Sequence, residues 1–146
     1  GRFCLATGVT AYLADSAETA LYEAVFRREL KTYVALEDLR LKALGTFTSK
    51  KPLRLVDLRG LEEQYPVLQS QRIQHTQAFA EECFGDGYDG ILYASAQHPH
   101  HECVCLFEVG AKKLGFAEAL PLVKPGTDIL HSAVVDAARR SGVEIT

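Results

Sequence analysis

Apolar and polar residues alternate along this chain in patterns that predict short strands and amphipathic helices. The apolar run Ala11–Ala14 is typical of a buried strand. Asp15 and Ser16 follow it, and because such side chains cap helices, we predict a helix from Ala17 to Glu29 or Leu30. Glu23 lies beside the apolar arc of this helix, where a carboxylate can be partly buried without entering the core.

The same patterns predict further strands and helices at uneven spacing. The strands are predicted at Tyr33–Leu36, Leu53–Leu58, Tyr88–Tyr93 and Glu102–Val109. Helices are predicted over Thr76–Phe84 and from Asp128 to Gly142, the second with Ile129 facing inward, and Thr46–Pro52 is expected to be a polar loop. The uneven order of strands and helices along the chain favours an α+β fold over a doubly wound sheet.

Length and charge limit the classes of protein that fit. The 146 residues match a single domain spanning 1–146, with 47% hydrophobic and 24% charged residues. A net charge of -3 argues against a general nucleic-acid or membrane-surface binder. No apolar run has the length of a membrane span, and no signal peptide is visible. We therefore expect a cytoplasmic protein, in which the four cysteines Cys4, Cys83, Cys103 and Cys105 are reduced and buried.

Histidines and cysteines are dense in the segment His98–Cys105. His100 or His101 with Cys103 and Cys105 could bind zinc, but zinc sites usually draw ligands from two distant segments, and no second segment is evident. We therefore expect no metal. The segment is interpreted as a polar loop leading into a strand whose cysteines pack inward; a pocket rim and a catalytic Cys/His pair are the alternatives.

Several short motifs occur in the order found in a known family. They are Gly1–Phe3, Thr10–Ala14, Ser16–Glu23, Thr76–Glu81, Gly87–Ala96 and Leu106–Phe107. Together they resemble the RES domain, a family named for an arginine, a glutamate and a serine. The resemblance implies an ADP-ribosyltransferase-like fold, with central mixed or antiparallel strands flanked by helices, that binds NAD⁺ as its substrate. Members of the family are often toxins of toxin–antitoxin pairs.

By this resemblance the named trio is Arg2, Glu23 and Ser95, with Tyr12 as a fourth active-site residue. Cleavage of NAD⁺ at the nicotinamide–ribose bond passes through an oxocarbenium-like centre, which Glu23 would stabilise. The planar guanidinium of Arg2 suits paired pyrophosphate oxygens. Tyr12 offers a ring face and a hydroxyl, and Ser95 would bind substrate or position Glu23.

Two departures from the family pattern concern the start of the chain. The family commonly has asparagine where Cys4 follows Phe3, and it usually has a strand-bearing segment before its arginine. We expect either that this segment has been lost or that the protein is a shortened, divergent member.

Three functions follow from the resemblance. The first is an NAD⁺-consuming toxin, a glycohydrolase or phosphorylase inhibited by an antitoxin partner. The second is a mono-ADP-ribosyltransferase that modifies a protein target. The third is an inactive binding module with the same fold. No direct nucleic-acid or membrane partner is expected, and an oligomer stays open.

Overall fold

Helices and strands are intermixed along the chain, which confirms the α+β class. The computed structural model describes residues 8, 10–27, 30, 32–61 and 73–146, without the side chains of 73–75. The strands are β1 (Thr10–Ala14), β2 (Tyr33–Val34), β3 (Ala43–Ser49), β4 (Leu55–Asp57), β5 (Gly90–Ala94), β6 (Glu102–Phe107), β7 (Leu114–Pro121) and β8 (Glu144–Ile145). The helices are α1 (Ala17–Ala24), α2 (Leu36–Arg40), α3 (Ile73–Gly85), α4 (Glu108–Ala111) and α5 (Ser132–Ser141). The ADP-ribosyltransferase-like fold stays a prediction.

Two compact units contain the described residues. The first takes them from the stretches 8–13, 49–61, 73–94 and 102–115, and the second from 14–48, 95–101 and 116–146. The single-domain organisation stays a prediction. No helix in the described part of the chain is long and apolar enough to cross a membrane.

The first unit is built on a mixed sheet in the order β1-β6-β5-β4. β4 and β5 are parallel, with Leu55 opposite Gly90, and the chain between them includes α3, as a parallel pair requires a crossover. β5 and β6 are antiparallel, with Ile91 opposite Cys105. Cys103, Cys105 and the following Phe107 are buried on one face of β6, which confirms the predicted inward packing.

A close backbone approach fixes the start of β5. A Cβ atom at Gly90 would lie 2.2 Å from the carbonyl oxygen of Cys105, so the two strands leave room for glycine alone. Asp89, which is 3% exposed, accepts hydrogen bonds from the Arg54 amide at 2.8 Å and the Lys113 ammonium at 2.9 Å. These bonds hold the pKa of Asp89 below its usual range, the backbone amide contributing most. The role of this aspartate escaped the sequence analysis.

The second unit has its own apolar core between α1 and α5. Its buried members are Leu21, Tyr22, Val25, Phe26, Val34, Leu39, Leu122, Val123, Val134, Ala137 and Val143. α1 ends at Ala24, so the predicted extension to Glu29 or Leu30 is wrong. The backbone amides of Val25 and Phe26 both donate to the Leu21 carbonyl, and the chain leaves the helical path there. The two side chains are 5% and 1% exposed. Core burial at the helix end outweighs the continuing helical pattern.

Two-stranded pairs complete the second unit. β2 lies parallel to β8, with Val34 opposite Ile145, and it is shorter than predicted because Leu36 begins α2. β3 pairs with β7, so the loop predicted over Thr46–Pro52 is wrong for its first half. Most side chains of β3 and β7 are exposed, and this explains why no buried alternation revealed either strand.

The predicted end of the strand after the histidine-rich segment and the predicted start of the last helix are also wrong. The strand predicted to Val109 ends at Phe107, because Glu108 begins α4. Within α4 the backbone of Gly110 lies close to Asp89: a Cβ at Gly110 would be 2.4 Å from the Asp89 carbonyl oxygen. The last helix begins at Ser132 rather than near Asp128, and Ile129 is 60% exposed instead of inward-facing. The predicted stop at Gly142 is confirmed, in the left-handed conformation with φ 74°.

Candidate functional site

Helix α1 places Glu23 at the surface of the second unit. Ser16 caps the helix as predicted, accepting a hydrogen bond from the Thr19 amide at 3.1 Å. Leu21 and Tyr22 face the core, so Glu23, one step further round the helix, is half-buried. This agrees with the predicted position beside the apolar arc.

A network of polar contacts fixes α1 against α5. The Tyr22 hydroxyl donates to Oε1 of Glu18, and Nη1 of Arg140 lies 3.0 and 2.8 Å from the two oxygens of the same carboxylate. The Tyr22 hydrogen bond, assisted by Arg140, lowers the pKa of Glu18. Because Tyr22 is buried and is the immediate neighbour of Glu23, this network limits rotation of α1 beneath the candidate carboxylate.

A direct hydrogen bond joins two of the three name-giving residues. The Ser95 hydroxyl donates to Oε1 of Glu23 at 2.6 Å, across 72 positions of sequence. Its oxygen also accepts from the backbone amides of Gln97 at 3.2 Å and His98 at 3.0 Å. A serine hydroxyl has one donor and two acceptor sites, so all three are occupied and the O–H direction is fixed toward Glu23. Among the described residues, Oε2 of Glu23 has no hydrogen-bond partner.

The segment Ser95–His101, here called the histidine loop, is tied by two more side-chain contacts to α1 and to Asp15, which precedes the helix. Nδ1 of His98 lies 2.8 Å from the Thr19 hydroxyl, and Nδ1 of His101 lies 2.9 Å from Asp15. The two imidazole rings stack at 3.8 Å between centroids. The loop is closed on itself by the Ser95 amide, which donates to the His101 carbonyl at 2.8 Å. Sequence reasoning missed these roles for Asp15, Thr19 and His98.

The other two predicted site residues are placed differently. Arg2 lies outside the described residues, so its role stays a prediction. Tyr12 lies in β1 of the first unit with 41% of its surface exposed, and its substrate contacts likewise stay predicted. Of the four predicted site residues, the structure therefore brings together Glu23 and Ser95.

The cysteines and histidines of the His98–Cys105 segment have separate surroundings. Cys103 and Cys105 are 2% and 0% exposed in the core of the first unit, and Cys83 is buried there too. All three are buried and not disulfide-bonded, as predicted, while Cys4 is outside the described residues. No group of three or more metal-ligating side chains was found among the residues that the structure describes.

Two cavities lie in the second unit. One of about 130 Å³ is lined by aromatic and polar groups that include Tyr22, Gln97, His98 and Arg140, next to the histidine loop. The other, of about 670 Å³, is lined by apolar residues such as Leu30 and by the charged residues Asp38 and Lys42, and by neither Glu23 nor Ser95. Both cavities have the mixed chemistry that ligand sites require, and the smaller one borders the histidine loop.

Comparison with known proteins identifies one family. The family model described as RES domain matches residues 1–124 of the 146. Searches of the curated proteins and of the solved structures found no significant match. The matched range includes Glu23 and Ser95 as well as the whole histidine loop.

Proposed function

Because this chain belongs to the RES domain family, we propose that it consumes NAD⁺ by cleaving the bond between nicotinamide and ribose. The family is associated with NAD-related toxin–antitoxin systems. The proposal accordingly includes a toxin that acts in the cytoplasm and is inhibited by an antitoxin partner. Water or phosphate is the attacking group, which makes the enzyme a glycohydrolase or a phosphorylase.

The observation that carries the proposal is the 2.6 Å hydrogen bond from Ser95 to Glu23. It occupies Oε1 of the carboxylate and holds the side chain in one orientation, while Oε2 has no partner among the described residues. A carboxylate fixed in this way is preorganised to stabilise the positive charge that develops on the ribose as nicotinamide departs. Nicotinamide leaves as a neutral amide, so no strong general acid is needed.

Ser95 is then a positioning residue rather than a ligand of the substrate. Its single proton is directed to Glu23, and its two acceptor sites are taken by the Gln97 and His98 amides. We further propose that Arg2 binds the pyrophosphate and that Tyr12 contacts a base or a ribose. A mono-ADP-ribosyltransferase would use the same carboxylate with a protein side chain as the attacking group.

Product analysis with purified protein tests the proposal. The protein is incubated with NAD⁺, with and without phosphate, and products are separated and identified by mass. Nicotinamide with ADP-ribose indicates hydrolysis, and a phosphorylated ADP-ribose indicates phosphorolysis. Loss of NAD⁺ only after cell extract is added, with ADP-ribose attached to a protein, indicates the transferase instead.

The variant Glu23→Gln removes the charge while keeping an acceptor for Ser95. We expect turnover to fall by about 100-fold or more, the usual effect of removing one group that stabilises developing charge. Glu82→Gln, the same change at an exposed residue of α3, is the matched control and should retain full activity. No consumption of NAD⁺ under any condition, or equal rates for Glu23→Gln and the unmodified protein, would overturn the proposal.

A further inference from the structure

The contacts between the histidine loop and α1 follow a regular spacing. Their partners on the α1 side are Asp15, Thr19 and Glu23, each four residues after the last. On the loop side they are His101, His98 and Ser95, at intervals of three in the opposite direction. Thr19 and Glu23 are four residues apart on one face of α1, and Asp15 lies just before the Ser16 cap of that helix. The loop therefore runs antiparallel to the chain from Asp15 to Glu23 and ends at the candidate carboxylate.

His98 connects this row of contacts to the candidate carboxylate. Its backbone amide occupies one acceptor site of the Ser95 hydroxyl, and its Nδ1 contacts the fully buried Thr19 hydroxyl. Its ring also meets the Tyr22 ring edge-on at 5.0 Å and stacks on His101. With the side chain held on three sides, the backbone amide that orients Ser95 has little freedom to move.

We propose that His98 and His101 are positioning residues, which fix the Ser95–Glu23 pair by holding the histidine loop against Thr19 and Asp15. His98 is the more important of the two, because its side chain contacts α1 and its backbone amide contacts the Ser95 hydroxyl. His101 supports it through the ring stack and the contact with Asp15. The kinetic consequence rests on the proposed function, whereas the effect on the loop does not.

When the contact between His98 and Thr19 is lost, the loop can move and the His98 amide can leave the Ser95 hydroxyl. That hydroxyl then has an open acceptor site and can rotate. Glu23 would keep its charge but lose its fixed orientation. Interactions that act on the transition state through orientation change kcat more than KM. We therefore expect His98→Ala and Thr19→Val each to lower kcat about tenfold, with KM changing less than about threefold, which corresponds to one hydrogen bond. Valine has nearly the shape of threonine, so the second variant removes the hydroxyl without leaving a hole.

Two further variants separate positioning from general damage to the fold. His98→Asn places a polar atom near the position of Nδ1 and should recover most of the lost kcat. His100→Asn changes the exposed histidine in the same loop, whose φ of 68° asparagine tolerates, and it should leave kcat unchanged. A loss in His98→Ala with no recovery in His98→Asn would overturn the positioning role.

A measurement without substrate keeps this test separate from the proposed function. Backbone amide hydrogen exchange at Gln97, followed by NMR, reports whether its bond to the Ser95 hydroxyl persists. We expect the exchange rate to rise about tenfold in His98→Ala and Thr19→Val and to stay constant in His100→Asn. If exchange rises but no variant or parent protein consumes NAD⁺, the positioning inference holds and the proposed reaction fails. If NAD⁺ is consumed, and if His98→Ala and Thr19→Val both have the kcat and the slow Gln97 exchange of the unmodified protein, the positioning inference fails.

Discussion

Replacing Ser95 with alanine should reduce stability more than catalysis. The substitution removes one hydroxyl that makes three hydrogen bonds, to Glu23, Gln97 and His98. The bond to the carboxylate is charge-assisted and contributes roughly 1.5–3 kcal/mol, and each amide bond contributes about 0.5–1.5 kcal/mol. Ser95 itself is 9% exposed, but Gln97 and His98 are only partly buried, so water can replace part of the amide bonds. We expect a loss of about 2–4 kcal/mol in the free energy of unfolding.

Glu23→Gln should have the opposite profile. Glutamine keeps an acceptor oxygen for Ser95, so only the charge assistance is lost, at about 1 kcal/mol. Glu23→Gln should reduce turnover more than Ser95→Ala does, because the charge of the carboxylate is what we propose acts on the ribose. At a temperature where both variants are folded, we expect Ser95→Ala to keep at least about tenfold more activity than Glu23→Gln.

Urea unfolding followed by circular dichroism measures the first half of this prediction. With a slope of about 2 kcal/mol per molar urea, a 3 kcal/mol loss lowers the midpoint by about 1.5 M. The control is Ser132→Ala, at the exposed first residue of α5, which should shift the midpoint by much less. A Ser95→Ala midpoint equal to that of the control, or an activity loss as large as that of Glu23→Gln, would refute the reasoning.

Three further predictions concern the first unit. Asp89→Asn should lower the free energy of unfolding by about 1–2 kcal/mol at pH 7, because the Lys113 contact loses its charge. The folded-state pKa of Asp89 is lowered, so the stability that its charge provides is present above about pH 4 and is lost as the pH falls. Urea midpoints measured at several pH values should therefore show the difference between Asp89→Asn and the unmodified protein diminishing in acid. A difference that grows in acid would contradict this prediction. Gly90→Ala should destabilise by about 3 kcal/mol or more in the same assay, since its Cβ would overlap the Cys105 carbonyl, and an unchanged midpoint would exclude the close approach. Burial raises the pKa of the Cys83 thiol to about 11, so a thiol reagent at pH 8 should label it only after unfolding, and rapid native labelling would contradict its burial.

Elements with a buried face were the ones that sequence could predict. The sequences of β5 and β6 are apolar, continuously or at alternate positions, because the two strands form the core of the first unit. The cysteines of β6 were correctly predicted to lie in that core. β3 and β7 pair with each other while most of their side chains are exposed, so no apolar period marks them. α1 was predicted too long because Val25 and Phe26 fit a helical period and yet leave the helix to enter the core.

The candidate site was predictable only in part. No spacing rule connects Glu23 with Ser95, and the order of the family motifs alone suggested that they belong together. The interval of four from Asp15 through Thr19 to Glu23 was visible in the sequence, but nothing in it specified that the histidine loop would contact these three residues. Arg2 and Tyr12 keep the roles that the resemblance implies, as predictions.

The order of the contacting residues along the chain has a consequence for synthesis of the protein. Glu23 is translated 72 residues before its partner Ser95, and Arg140, which holds α1 through Glu18, is translated later still. A nascent chain therefore carries the carboxylate without its restraints for roughly ten seconds at ordinary translation rates. Prematurely terminated products that end before Ser95 contain Glu23 but cannot hold it in place. The proposed cleavage of NAD⁺, which needs an oriented carboxylate, would thereby be delayed until Ser95 and Arg140 have both been synthesised.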